Sequence, residues 1–263
     1  MGFTKILFIG DIIGRPGRIA VRELLPKLVG AHAPDIIIAN GENSAGGFGL
    51  TPEIAEEIKS LQVDVITTGN HIWDKRDVYD YLDRDKRVLK PANYPEGTPG
   101  VGWGVFECAS GAKVGVINLL GRVFMDSGVD CPFRVGKKLA EEIRKVTPVI
   151  FVDMHAETTS EKAAIAFYLD GFVSAVIGTH THVQTSDEHV LAGGTAFLTD
   201  AGMTGATDSI IGMRKEAIID KFLTRMPARF EVATKGVELQ GAVITVDGAT
   251  GRAVKIERLK EPV

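Results

Sequence analysis

Gly178-Thr179-His180-Thr181-His182 stands directly after the apolar run 173–177. A continuous run of this kind, bounded by glycine, reads as a buried strand, so two imidazoles fall just past its carboxyl end. Side chains two apart on an extended chain point to the same side. The spacing predicts that His180 and His182 converge on one ion, or on two adjacent ions, without a bend in the backbone. A lone His-x-His pair is a modest signal, because such pairs also decorate exposed strands. Four other places in the chain repeat the arrangement of apolar run, small residue and metal-competent side chain.

Asp11 follows the run 5–9, and Glu42 with Asn43 follows 35–39. Asn70 with His71 follows 63–67, and His155 follows 149–152. Taken singly, each has a plainer reading. Asp11 suits a turn or a helix cap, Glu42 and Asn43 suit turns, Asn70 suits a left-handed position, and His71 suits a surface. Jointly they do not read as incidental, since four of the six histidines fall at predicted strand ends beside these acids and amides. His32 and His189 stand outside the pattern. In open α/β sheets the ligand crevice lies beyond the carboxyl ends of the strands, so separate segments can deliver ligands to one place. Carboxylate, amide and imidazole donors without thiolate suit manganese, iron or zinc, often as a carboxylate-bridged pair. Asp153 is unusual inside an apolar strand; it either orients a ligand histidine or caps a neighbouring loop.

The rest of the chain supports an α/β (α+β) fold in a single domain spanning residues 1–263. Helical spacing covers 18–28, interrupted by Pro26 after a turn at Arg15-Pro16-Gly17. Thr51 and Pro52 open a helix reaching residue 61. A charged, solvated helix is expected over 74–83, and further helices over 135–145, 158–169 and 215–223, the second of these opened by a capping box of Thr158 and Glu161. Hairpins are expected at 101–119 and 239–259, strands at 195–199 and 230–234, and a loop of mixed character over 121–131. Early strand–helix alternation followed by antiparallel hairpins implies mixed sheets covered by helices.

With 263 residues, 44% hydrophobic and 24% charged, the composition is that of a globular protein. A net charge of −4 gives no basic stripe, so no stable nucleic-acid complex is expected. No run is long enough to span a membrane. Two cysteines, Cys108 and Cys131, form no disulfide framework or zinc-finger spacing, which fits a cytoplasmic setting. A homo-oligomer is compatible with the sequence. Dinucleotide, Walker and nucleophile-elbow motifs are absent.

The ordered motifs Gly10-Asp11, Gly41-Glu42-Asn43, Gly69-Asn70-His71, Met154-His155 and Gly178-Thr179-His180-Thr181-His182 resemble the calcineurin-like metallophosphoesterase superfamily. The similarity is greatest to its YmdB-like branch and runs over essentially the whole chain. The resemblance implies a double β-sandwich of mixed sheets flanked by helices, with two metal ions at the sheet edge. It assigns Asp11, Glu42, Asn43 and His182 to one ion. Glu42 bridges to a second, held also by Asn70, His155 and His180, while His71 faces the substrate as the catalytic acid. The chain departs from the superfamily where Ile13 replaces the histidine of the usual Asp-x-His motif and Glu42 replaces the usual bridging aspartate. Iron or manganese is favoured, with zinc an alternative.

The activity this implies is hydrolysis of small phosphodiesters, 2′,3′-cyclic nucleotides foremost, by in-line attack of a metal-bridging hydroxide. Arg15 and Arg122 are candidate phosphate or base contacts. The competing readings are a nucleotide sensor without turnover, another class of metallohydrolase, and a structural metal protein.

Overall fold

Strand β1 (Phe3–Ile9) carries apolar side chains on both faces, and each face joins a different core. Ile6 and Phe8 pack between two sheets, whereas Leu7 and Ile9 pack under helices. The computed structural model describes residues 2–125 and 128–263. Asp126 and Ser127, inside the loop expected over 121–131, lie outside the described residues, as does Met1.

From β1 the chain passes through β2 (Asp11–Ile12) into α1 (Gly14–His32). Arg15-Pro16-Gly17 is the first turn of this helix and not a separate turn, because Pro16 lacks an N–H where no intrahelical bond is needed. The helix also continues through Pro26. Next come β3 (Ile36–Asn40), α2 (Pro52–Ser60) and β4 (Val65–Thr67). Thr51 caps α2 as its sequence predicts, its hydroxyl accepting from the Ile54 N–H at 3.4 Å. The segment predicted as one solvated helix over 74–83 is instead two short 3₁₀ turns, Asn70–Asp74 and Arg76–Val78, leading into α3 (Tyr79–Arg84). Val78 and Leu82 are fully buried and tie this charged segment to the core. β5 (Val88–Leu89) follows.

The second half opens with the hairpin β6 (Trp103–Glu107) and β7 (Lys113–Leu120), then α4 (Pro132–Ile143) and β8 (Ile150–His155). α5 (Thr159–Tyr168) starts without the predicted capping box. Glu161 instead accepts from the Arg122 N–H at 3.0 Å and the Val123 N–H at 3.1 Å, and the Thr158 hydroxyl makes no cap. β9 (Ala175–Thr179), β10 (His189–Val190), β11 (Ala196–Leu198), β12 (Met203–Ala206) and α6 (Lys215–Thr224) lead to the closing hairpin β13 (Val237–Asp247) and β14 (Ala253–Pro262). The strand expected over 230–234 does not form; Val232 makes only an isolated bridge to Met213.

One sheet has eight strands in the order β2-β12-β13-β1-β3-β4-β5, with β14 on β13. The other has six, in the order β10-β11-β9-β8-β7-β6. β1, β3, β4 and β5 run parallel, as do β7, β8, β9 and β11, while β13 with its neighbours, β10 on β11 and β6 on β7 pair antiparallel. The sheets face each other across Ile6, Phe8, Ile38, Val116, Phe151 and Ile177, with the Phe8 and Phe151 ring centroids 4.9 Å apart. Full burial of such side chains is worth about 1.5–3 kcal/mol each. α1, α2 and α3 cover the outer face of the first sheet, and α4 and α5 that of the second. This is the double β-sandwich of mixed sheets flanked by helices.

Candidate metal centre

The carboxyl ends of the two parallel sets meet at one edge of the sandwich, and the candidate ligands collect there. The first sheet supplies Asp11 on β2, Glu42 and Asn43 after β3, and Asn70 after β4. The second supplies His155 at the end of β8 and His180 and His182 after β9. Glu42 stands at the centre. Its Oε1 lies 2.9 Å from His155 Nε2 and 3.2 Å from Asn43 Nδ2, and its Oε2 accepts from the His71 N–H at 3.2 Å. His155 Nε2 is also 3.2 Å from Asn70 Oδ1 and 3.1 Å from His180 Nδ1. On the other side His182 Nε2 is 3.2 Å from Asn43 Nδ2 and 3.9 Å from Asp11 Oδ1.

His180 and His182 do not lie on extended backbone. Their φ values of 101° and 63° are in the positive region that L-residues rarely occupy, and the chain turns between them. They therefore reach different neighbours instead of pointing one way together: His180 goes to His155, and His182 to Asp11 and Asn43. Strain of this kind persists where the surroundings over-determine the backbone. Here the His180 N–H donates to Asp11 Oδ2 at 3.2 Å, and both the N–H and hydroxyl of Thr181 donate to Asp200 Oδ2 at 3.1 and 2.7 Å. Asp200 is in turn paired with the fully buried Lys162 at 2.7 Å. Gly178 permits the approach beneath the loop, since a Cβ there would sit 1.8 Å from the Thr199 carbonyl oxygen.

Three features fit this cluster to metal. His180 Nε2 faces Glu157 Oε2 at 3.0 Å and His182 Nδ1 donates to the Ile211 carbonyl at 2.9 Å, so each ring is anchored outside and keeps its other nitrogen inward. Asp11 Oδ1 is buried and has no hydrogen-bond partner among the described residues. A Cβ on Gly69 would lie 2.2 Å from Glu42 Oε2 and 2.4 Å from His155 Nε2, so the missing side chain leaves a cradle over both. Donor atoms of Glu42, His155 and His180 all lie within 4.8 Å of one another. Asn43 differs from a ready ligand, because its amide nitrogen, not its oxygen, faces Glu42 and His182.

The charges of the cluster's own side chains follow from burial and proximity. Burial alone would raise the Glu42 carboxyl, but the imidazoles of His155, His71 and His180 hold it at about 2. Burial would lower His155, yet the Glu42, Asp11 and Asp153 carboxylates lift it to about 9. Burial, reinforced by His155, pushes His180 down to about 3 and so leaves its ring neutral, with Nε2 the nitrogen that faces the Glu157 carboxylate. Burial also raises Asp11 to about 6. The cluster's own side chains thus set an imidazolium against the Glu42 carboxylate.

A cleft of about 420 Å³ opens over the cluster. Its floor carries Glu42, Asn43, His71, Glu157, His180 and His182, and its wall is apolar, formed by Phe48, Ile211, Met213, Ile218 and Phe230. His71 Nδ1 is 2.9 Å from Asp74 Oδ2, and the Phe48 ring meets its imidazole edge-on at 5.1 Å. Arg15 and Arg122 do not line this cleft; Arg122 lines a separate one with Phe133 and Glu161. Sequence reasoning missed Glu157 and Asp74. Both lie within three residues of a candidate histidine, so local spacing was the available signal.

The double β-sandwich fold and the ordered sequence motifs place the chain in the calcineurin-like metallophosphoesterase superfamily. Within that class the chain belongs to the YmdB-like protein family, whose sequence model matches residues 7–259. It is 50% identical over 255 residues to the 2′,3′-cyclic-nucleotide 2′-phosphodiesterase of Bacillus subtilis, covering 97% of this chain and 96% of that one. The crystal structure of a hypothetical protein from Thermus thermophilus is 41% identical with a TM-score of 0.91, covering 98% of this chain and 99% of that one. The crystal structure of a novel phosphatase from Mycoplasma pneumoniae is 34% identical with a TM-score of 0.93, covering 100% and 94%.

Proposed function

We propose that this phosphoric diester hydrolase acts on small cyclic phosphodiesters, with 2′,3′-cyclic nucleotides as the preferred class, using two metal ions. The observation that carries the proposal is the position of Glu42 between two groups of donors. Asn70, His155 and His180 would hold one ion with Glu42, and Asp11, Asn43 and His182 the other, once the Asn43 amide turns its oxygen inward. The donor set contains no thiolate and suits iron or manganese, with zinc an alternative. Bound ions would supply Lewis acidity to the phosphoryl oxygens and acidify water at neutral pH.

The chain's own groups support the same reading. Glu42 and Glu157 place two carboxylates on the floor, with Asp11 buried behind His182, and together they would repel a phosphate unless cations offset them. His71, oriented by Asp74 through Nδ1, has Nε2 left to protonate a ribose alkoxide as it departs. The apolar wall beside that imidazole offers contact for a nucleobase without reading its edge. The 50% identity to an enzyme named for 2′,3′-cyclic nucleotides sets the order of substrates to try.

The test is turnover of 2′,3′-cyclic, 3′,5′-cyclic and linear diesters by protein reconstituted with manganese or iron. Metal-dependent opening of the 2′,3′-cyclic ring, faster than the other diesters, is the expected result. Binding of the nucleotide without turnover under every metal would favour a sensor instead.

A further inference from the structure

Asp153 is a fully buried carboxylate on β8, and it faces the space between the sheets, on the same side of the strand as Phe151. Three side chains from three other strands converge on it. Asn40 on β3 contacts Oδ2 at 3.0 Å, Thr67 on β4 contacts Oδ2 at 2.5 Å, and Thr179 on β9 contacts Oδ1 at 2.7 Å. Asn40 and Thr67 belong to one sheet, Asp153 and Thr179 to the other. The carboxylate therefore joins the sheets directly beneath the cleft whose two halves they supply.

The direction of each hydrogen bond extends that joint to two of the candidate ligands. Asn40 Oδ1 accepts from the Glu42 N–H at 3.1 Å, which leaves its Nδ2 to donate to Asp153. A threonine hydroxyl has one proton. Thr179 gives that proton to Asp153, so its oxygen accepts from His155 Nδ1, 2.9 Å away. An imidazole that keeps its proton on Nδ1 presents the Nε2 lone pair to Glu42, Asn70 and His180.

We propose that Asp153 is a positioning residue: through Thr179 it fixes the His155 tautomer with Nε2 inward, and through Asn40 it fixes the Glu42 turn. The isosteric change Asp153→Asn exposes the logic. If the new amide nitrogen faces Thr179, that hydroxyl must turn its proton toward His155, which moves the imidazole proton onto the ligand nitrogen. If it faces Asn40, two N–H groups oppose each other and the Asn40 amide must turn over, releasing the Glu42 N–H. Either placement disturbs a ligand.

The test uses the full chain and zinc, which is diamagnetic, with affinity measured by competition against a chelator and imidazole nitrogens read by NMR. Residues that orient a ligand typically contribute 10–100-fold to metal affinity, so Asp153→Asn and Thr179→Val should each weaken zinc by about that factor while Thr179→Ser stays within about threefold. In wild type and Thr179→Ser, His155 should carry its proton on Nδ1. Unchanged zinc affinity in Thr179→Val and Asp153→Asn, or a wild-type His155 protonated on Nε2 with Nδ1 bare, overturns the proposal. A merely structural role would lower melting temperature in these variants without moving the nitrogen shifts or the affinity of the folded protein. If Asp153→Asn does not fold, the Thr179→Val and Thr179→Ser pair decides alone. The effect on metal rests on the metal-enzyme reading above. Should wild type bind neither zinc nor manganese nor iron, that reading fails, and the nitrogen shifts of the protein in chelator, followed through its titration, still show which nitrogen of neutral His155 keeps its proton.

Discussion

His155 Nε2 and Glu42 Oε1 lie 2.9 Å apart, one group from each sheet, and both are fully buried. In metal-free protein this is an imidazolium–carboxylate pair, with His155 lifted to about 9 by Glu42 and its fellow carboxylates against the opposing effect of burial. Above the ordinary histidine value of 6.5 the unfolded chain has released this proton, while the folded protein keeps it. The folded state then binds more protons, so stability falls as pH rises through about 9. Melting temperatures measured in a chelator should decline between pH 6.5 and pH 9. His155→Gln should flatten that slope. A metal ion taking the Nε2 lone pair must displace the same proton, so metal binding should release protons in this range. A flat wild-type profile would mean that His155 is neutral in the metal-free protein.

Glu42→Gln should be far more damaging than Asn43→Ala. Both Glu42 oxygens are engaged, by His155, Asn43 and the His71 N–H, whereas the Asn43 amide nitrogen reaches Glu42 and His182. Groups that merely orient a ligand contribute about 10–100-fold, so Glu42→Gln, at the ligand proposed to serve both ions, should lose about 10²-fold or more of kcat/KM and Asn43→Ala about tenfold. Equal losses in the two variants would remove Glu42 from its central role.

Gly69→Ala should abolish metal binding while leaving the sandwich folded. The added methyl would sit 2.2 Å from Glu42 Oε2 and 2.4 Å from His155 Nε2, contacts that require both side chains to leave their places. Elemental analysis and a far-UV spectrum of the same sample check both parts. Retained metal would mean that the cradle under Gly69 is not the ion site.

Purified protein should carry close to two transition-metal ions per chain, because the candidate donors on both sides of Glu42 exceed what one ion normally takes. A chelator should remove activity, and manganese or iron should restore it. One zinc ion per chain, unchanged by reconstitution, would contradict the dinuclear proposal.

The strands and the donors at their ends were legible because each depends on local pattern: an apolar run, a glycine, then a ligand type. What sequence could not supply was the partner of each group across the sheets. Asp153 looks anomalous in its strand, and only the packing of β3, β4 and β9 around it explains why a carboxylate is tolerated there. The capping box failed for a similar reason, since Glu161 is drawn to the N–H groups of Arg122 and Val123 from a distant loop. The turn between His180 and His182 was hidden because its supports, Asp11 and Asp200, are remote in sequence. The run 230–234 has strand-like composition but only an isolated bridge to pair with.

His71 should separate from the other histidines by the leaving group it serves. His155, His180 and His182 point nitrogens into the donor cluster, so replacing any of them should cost metal and activity together. His71 instead binds Asp74 through Nδ1, meets Phe48 edge-on and lines the cleft. Its link to Glu42 is through the backbone N–H, which His71→Ala preserves, so both ions should remain. A ribose alkoxide is a poor leaving group that needs a proton, and a positioned acid contributes about 10²–10⁴-fold. A nitrophenolate departs without that help. His71→Ala should therefore lose about 10²–10⁴-fold on a 2′,3′-cyclic nucleotide and far less on a nitrophenyl phosphodiester. Equal losses on both substrates, or a missing ion in the variant, would show that His71 binds metal or positions the phosphate instead.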